Sequence, residues 1–125
     1  SSFKYYMNGL LKEKTSFKYG SPEWVEKFAY HPNGKLKQKR SYKDGKWEGE
    51  WLRYYENGEL WKKDNYKDDK KEGEWLEYYE NGQLGVKGNY KDGIKDGEQL
   101  EYYENGQLEG TIIYKDGEFV EFITP

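Results

Sequence analysis

The sequence predicts an all-β protein in which tandem β-hairpins form one elongated, twisted antiparallel sheet of about 10–11 short strands, a single repeat domain over residues 1–125. Three observations predict it: an Asn-Gly motif that returns at intervals of 24 or 25 residues, period-two alternation on both sides of it, and no convincing run of helical period. The units fall at about 1–20, 21–45, 46–69, 70–93 and 94–117, with residues 118–125 as a C-terminal cap.

The first repeated element is Tyr54-Tyr55-Glu56-Asn57-Gly58-Glu59-Leu60, which recurs at 78–84 and 102–108, with looser copies at 5–11 and 30–36. Its glycines are Gly9, Gly34, Gly58, Gly82 and Gly106. Asn-Gly between two apolar-containing runs is the strongest short-range hairpin signal, because a type I′ turn needs positive φ at both central residues. Residues 51–55 and 60–66 are therefore expected to pair, with Tyr55 facing Leu60 and Tyr54 facing Trp61. Alternation then puts Trp51, Tyr55, Leu60 and Tyr66 on one face and Leu52, Tyr54 and Trp61 on the other. The same structural roles fall to Trp75, Tyr79, Leu84 and Tyr90 in the next unit, and to Tyr103, Leu108 and Tyr114 in the one after.

The second element, Tyr-Lys-Asp-Gly, occurs at 42–45, 90–93 and 114–117, with variants at 66–69 and 17–20. The third, Gly-Glu-Trp, occurs at 49–51 and 73–75 and decays to Gly97-Glu98-Gln99. Two connections fit between them. A four-residue loop, Asp68 to Lys71, sets Gly73 opposite Tyr66, whose ring would cover the bare backbone. A tighter turn at Asp68-Asp69 keeps the same faces but slides each repeat by two residues. Either way Gly49, Gly73 and Gly97 read as structural. The ends depart from the pattern, as the terminal units of a repeat array do: residues 1–34 carry an insertion and substitutions around Pro22, His31 and Pro32, and the last unit stops early at 118–122. Residues 23–30 are the one stretch where a helical turn is admissible.

Composition sets what holds such a sheet together. Leu, Ile, Val and Phe total only 21 residues, a poverty that often signals disorder. Against that stand a net charge of only −3 and 14 Tyr with 5 Trp. Each of those rings can bury roughly 150–250 Å², so the core is expected to be aromatic. The absence of Cys removes disulfides, thiolate metal sites and thiol nucleophiles and leaves the compartment undetermined. No apolar run approaches the ~20 residues of a transmembrane helix. The sequence does not open on Met and its first motif arrives at Tyr5, so a trimmed N-terminus is expected; exported, cell-surface and cytoplasmic locations all stay open.

Catalytic constellations are missing. His31 is the only histidine and is expected to be a solvent-exposed turn residue, and the few serines, all within residues 1–41, have no other histidine to activate them. Carboxylates recur in every unit, at Glu50, Glu74 and Glu98 for instance, whereas a catalytic pair is needed once; they read as turn residues and solvated faces. Residues 92–98 lack the alternating ligands of a calcium loop. No metal site, no cofactor and no enzymatic activity are expected.

Residues 1–46 hold 11 basic and 4 acidic side chains, and residues 47–125 hold 10 and 20, so an extended array would carry a charge dipole along its axis. Lys35, Lys37, Lys39, Arg40, Lys43 and Lys46 are the densest basic stretch. Such an end could meet an anionic surface, an acidic partner or the acidic end of a second copy. Nucleic acid is not expected, since no groove-reading element accompanies the charge.

The unit Gly-Glu-Trp-Leu-x-Tyr-Tyr-Glu-Asn-Gly-x-Leu followed by Tyr-Lys-Asp-Gly resembles the MORN repeat variant, a hairpin repeat of many bacterial proteins, some labelled as antitoxins of toxin-antitoxin systems. The resemblance covers residues 5–122 and is strongest over 42–117. It implies a fold more than a function, because the repeat is a scaffold for unrelated roles. Related repeats accompany the catalytic domains of some phosphatidylinositol phosphate kinases, but this chain has no phosphate loop and no room for a nucleotide-binding lobe. The leading expectation is a non-catalytic scaffold for protein–protein interaction, with Tyr54, Trp61, Tyr78 and Tyr102 as contact residues on an aromatic face. A carbohydrate- or cell-wall-binding module, using rings to stack on sugars or cage a quaternary amine, is the alternative; an antitoxin-like protein that binds a toxin is the third.

Overall fold

A computed structural model describes the whole chain, residues 1–125. It has no helix and consists of β1 (Ser2–Tyr5), β2 (Leu11–Lys18), β3 (Ser21–Tyr30), β4 (Leu36–Lys43), β5 (Lys46–Trp47), β6 (Gly49–Tyr54), β7 (Leu60–Lys67), β8 (Lys70–Lys71), β9 (Gly73–Tyr78), β10 (Leu84–Lys91), β11 (Ile94–Lys95), β12 (Gly97–Tyr102), β13 (Leu108–Lys115) and β14 (Glu118–Ile123). All fourteen belong to one sheet; eleven follow one another across it in chain order, and the two-residue strands β5, β8 and β11 pair with β4, β7 and β10. Residues 23–30 lie within the ten-residue strand β3, so the helical turn admitted there is absent. Alternation from Trp24 to Tyr30 serves two flanking strands at once, which a helix could not do.

The Asn-Gly turns are not of the expected type I′. Around Asn57-Gly58 only Gly58 has positive φ, at 92°. Gly58 N–H donates to the Tyr55 carbonyl at 3.0 Å and Tyr55 N–H to the Glu59 carbonyl at 2.9 Å. This is a type I turn followed by a left-handed glycine. Asn57 is there for its side chain, whose Oδ1 accepts the Glu59 N–H at 2.9 Å. The type I′ geometry sits instead at the Asp-Gly pairs, with Asp44 and Gly45 at 50° and 80° and Asp92 and Gly93 at 51° and 82°. Asp69 takes the glycine position at 69°, and its Oδ1 accepts the Trp47 N–H at 2.8 Å, a bond glycine could not make.

Register follows from these turns. Tyr54 pairs with Leu60 and Arg53 with Lys62, so Trp61 is the extra residue of a β-bulge and does not face Tyr54. Both connections weighed between β7 and β9 hold in part. The tight turn exists, since Tyr66 pairs with Lys71. A two-residue bulge at Glu72-Gly73 then restores the register of the longer loop, so that Lys63 pairs with Leu76. Gly73 has φ of 83° and pairs with Tyr90, while Tyr66 pairs with Gly49. No atom lies within 4 Å of a Cβ built on Gly73 or Gly97, so left-handed backbone and not a covering ring selects glycine there. Ring over glycine occurs elsewhere. A Cβ on Gly88 would lie 2.5 Å from Trp75 Nε1, because the indole sits against the β10 backbone at that glycine.

A single-layer sheet has no interior, and Trp75 is its only buried apolar side chain. Aromatic burial takes the form of half-buried ring clusters. Trp47 packs on Tyr42, Trp51 and Tyr66 with centroids 5.1, 5.2 and 4.6 Å apart.

Candidate functional site

Alternation gives the sheet two faces with different histories along the chain. One repeats almost unchanged. It carries Phe28, Leu52, Leu76 and Leu100 at one position, Tyr30, Tyr54, Tyr78 and Tyr102 at a second, and Glu26, Glu50, Glu74 and Glu98 at a third. Lys39, Lys63 and Lys87 lie between the leucines across the strands and pair with Glu26, Glu50 and Glu74 at 3.0, 2.8 and 3.5 Å. The hydrogen bond to Glu50 raises the Lys63 pKa. The other face keeps Tyr42, Tyr66, Tyr90 and Tyr114 at one position but changes from unit to unit at the rest. Lys27, Trp51, Trp75 and Gln99 occupy one of its positions, Ala29, Arg53, Glu77 and Glu101 the next, and Arg40, Asp64, Gly88 and Ile112 face the first series or its neighbour.

Neighbouring units are latched along the hairpin loops. In two of the Tyr-Tyr pairs the second tyrosine donates its hydroxyl to the carbonyl of the first tyrosine in the next unit: Tyr55 to Tyr78 at 2.5 Å and Tyr79 to Tyr102 at 2.6 Å. Tyr6 donates to the Phe28 carbonyl, two residues before the equivalent Tyr30, at 2.7 Å. His31 takes the tyrosine's place in its unit, with Nε2 2.8 Å from the Tyr54 carbonyl, so it is a half-buried latch residue and not an exposed one. The turn asparagines add a second ladder, Asn33 Nδ2 donating to the Glu56 carbonyl at 2.8 Å and Asn57 to that of Glu80 at 3.0 Å. Burial pushes the Tyr55 and Tyr79 phenols above the ordinary tyrosine range.

The changing face holds the site. Asp64 is wholly buried and pairs with Arg53 Nη2 at 2.9 Å; Lys71 Nζ lies 3.7 Å away. The Arg53 guanidinium stacks 3.7 Å from the Trp51 ring centroid and 4.9 Å from that of Trp61, which also packs on Tyr55. Lys62, opposite Arg53, lies over Trp75 at 5.3 Å, and burial lowers its pKa. Lys95 approaches the same ring from the following unit. Buried Asp64 Oδ1 and Trp75 Nε1 have no hydrogen-bond partner within the chain. An open cleft of about 580 Å³ adjoins the cluster, walled by His31, Lys37, Gln38, Arg53, Tyr55 and Trp61. Cations thus crowd units two and three, joined by Lys71 and Lys95, while units four and five place the carboxylates Glu77 and Glu101 where unit three has Arg53. Nothing in this arrangement pairs a nucleophile with a base.

Of the expected contact residues, Tyr54, Tyr78 and Tyr102 align on the constant face, while Trp61 lies on the changing one, carried there by the bulge. The six basic residues form no single patch. Lys39, Lys43 and Lys46 belong to the constant face, Lys37 and Arg40 to the other, and Lys35 to a hairpin loop where it reaches the Asn57 carbonyl. The Arg53–Asp64–Lys62 cluster was not anticipated. Its signal is present in the sequence as departure from the repeat, Asp64 standing where the other units have Arg40, Gly88 and Ile112.

The family model described as the MORN repeat variant matches residues 26–44, 47–68, 71–92 and 95–116. A search of curated proteins returns no match.

Proposed function

Since the chain belongs to the MORN repeat variant family, a repeat-type interaction module, we propose that it is a non-catalytic scaffold that binds another protein across its changing face. The observation that supports this is the contrast between the faces. A scaffold needs the same residues in every unit, whereas recognition of one partner needs a sequence of different ones. The constant face meets the first requirement with its leucines, tyrosines and Lys–Glu pairs. The changing face meets the second with clustered tryptophans and arginine, the residue types that dominate binding hot spots, graded from basic to acidic along the array. A matching partner presents acidic groups toward units two and three and basic groups toward unit five, and a toxin held by an antitoxin-like protein would be one instance.

Affinity capture with paired variants tests this. Trp61→Ala with Lys62→Glu is expected to release the captured partner, and Tyr54→Ser with Tyr78→Ser to leave it bound. The opposite pattern would move the interface to the constant face. Carbohydrate binding remains a second reading because the cleft combines Trp61 and Tyr55 rings with Gln38 and Glu80 as hydroxyl partners. It predicts glycan-array binding that Trp61→Ala abolishes.

A further inference from the structure

Unit two lacks the neutralised cluster of unit three. In unit three the Arg53 guanidinium meets the Asp64 carboxylate at 2.9 Å. The equivalent positions in unit two are Ala29 and Arg40. The short Ala29 side chain leaves a pocket of about 190 Å³ across β2, β3 and β4, whose lining includes Lys12, Glu13, Lys27, Gln38 and Arg40. No carboxylate is left to neutralise it. Lys27 and Arg40 are direct cross-strand partners, a like-charge pairing that costs stability. None of the chain's ion pairs includes Lys12, Lys27 or Arg40, and Glu13, the one acid of the pocket, is taken by Lys4 at 3.3 Å. Aromatic rings hold the cations in place: Lys12 Nζ lies 5.6 Å from the Tyr6 centroid, Lys27 Nζ 5.4 Å from that of Tyr42, and the Arg40 guanidinium 5.9 Å from that of Trp47. Arg40 Nε is buried without a hydrogen-bond partner within the chain, so the guanidinium is short of acceptors.

We propose that this pocket binds carboxylates, a ligand supplying from outside what Asp64 supplies in unit three. Three cations against one acid leave it with two uncompensated positive charges, which suits a dicarboxylate or two neighbouring acidic side chains. Arg40 receives one carboxylate through charge-assisted N–H···O bonds, and Lys12 and Lys27 face the other. Gln38 Oε1 already accepts the Trp51 indole N–H at 3.1 Å, and its amide N–H groups have no partner within the chain, so they can donate to the ligand. The pocket is smaller than the roughly 300 Å³ from which sites for drug-sized ligands begin, and this restricts it to such short groups.

Heteronuclear NMR titration of the isolated chain at low ionic strength tests the proposal, with succinate, its uncharged diamide and a blocked diglutamate peptide as probes. Succinate is expected to produce saturable shifts centred on Lys27, Ala29 and Arg40, and the diamide none. Arg40→Gln should weaken binding at least about tenfold through the loss of charge-assisted hydrogen bonds, and Lys27→Gln by a smaller factor. Ala29→Arg with Arg40→Asp rebuilds the pair of unit three and should abolish binding. Circular dichroism reports whether each variant keeps its strands; Lys27→Gln, at an exposed position, carries the test if the others unfold. Peptide binding as tight as that of succinate would assign the pocket to a partner's acidic side chains, and succinate binding alone to a free dicarboxylate. Shifts that never saturate, that spread evenly over the lysines, or that both glutamine variants leave unchanged would overturn the proposal. No partner takes part in these titrations, so that failure would leave the proposed interface standing.

Discussion

Removing a single phenolic oxygen from the latch should loosen one unit from the next. Tyr79→Phe keeps the ring and its burial and deletes only the 2.6 Å bond to the Tyr102 carbonyl; Tyr55→Phe does the same to the 2.5 Å bond to Tyr78. A neutral hydrogen bond of this kind contributes about 0.5–1.5 kcal/mol net. Each substitution should therefore cost about 1 kcal/mol and lower the melting temperature by about 3–5 °C for a domain of this size. The two bonds sit in successive interfaces of a nearest-neighbour array, so their effects should nearly add. Tyr103→Phe is the internal control: it occupies the same place in its unit, but its side chain is half exposed and its hydroxyl makes no such bond. Urea and thermal unfolding followed by tryptophan fluorescence and far-ultraviolet dichroism would measure all three. If Tyr103→Phe destabilised the chain as much as Tyr79→Phe, the latch would not be what couples the units.

Three further outcomes follow from the packing. Asp64→Asn leaves the Arg53 guanidinium, whose side chain is only 18% exposed, without its carboxylate, and should cost about 3 kcal/mol in urea unfolding, while Asp64→Leu with Arg53→Met should recover most of that loss. Gly88→Ala drives a methyl into the Trp75 indole and should cost about 1–3 kcal/mol, a penalty that Trp75→Leu in the same chain relieves. Stability should fall as pH rises above about 10. Burial raises the pKa values of Tyr55, Tyr66 and Tyr90 above the ordinary 10.0, so the unfolded chain releases those protons first and gains from it. Lys62, with its pKa lowered by burial, acts in the opposite direction as a single group, and a thermal melt series at alkaline pH should become flatter in Tyr66→Phe.

The repeat was fully legible in the sequence, and with it the hairpin order and the single open sheet. The intervals between Asn-Gly pairs are set by covalent spacing, and a sheet built of adjacent hairpins has little topological freedom. Turn chemistry was less legible. Asn-Gly serves both type I′ and left-handed-glycine hairpins, and only the loop length, five residues between Tyr54 and Leu60, separates them. That one difference inserted the bulge and moved Trp61 to the opposite face. His31 illustrates a second limit: read alone it is a turn residue, and its role emerges only when Tyr55 and Tyr79 are seen reaching across to the next unit. The charged cluster escaped because repeat analysis attends to what recurs, while Arg53 and Asp64 occur once.

Site-specific photo-crosslinking in cells puts the division of labour between the faces to its most direct test. A benzoyl-phenylalanine at Glu77 or Glu101 probes the changing face, and one at Glu74 or Asn89 the constant face, each from a position that carries no latch. One discrete adduct from Glu77 and Glu101, absent from Glu74 and Asn89, is the predicted result. The same adduct formed only from Glu74 and Asn89 would contradict it.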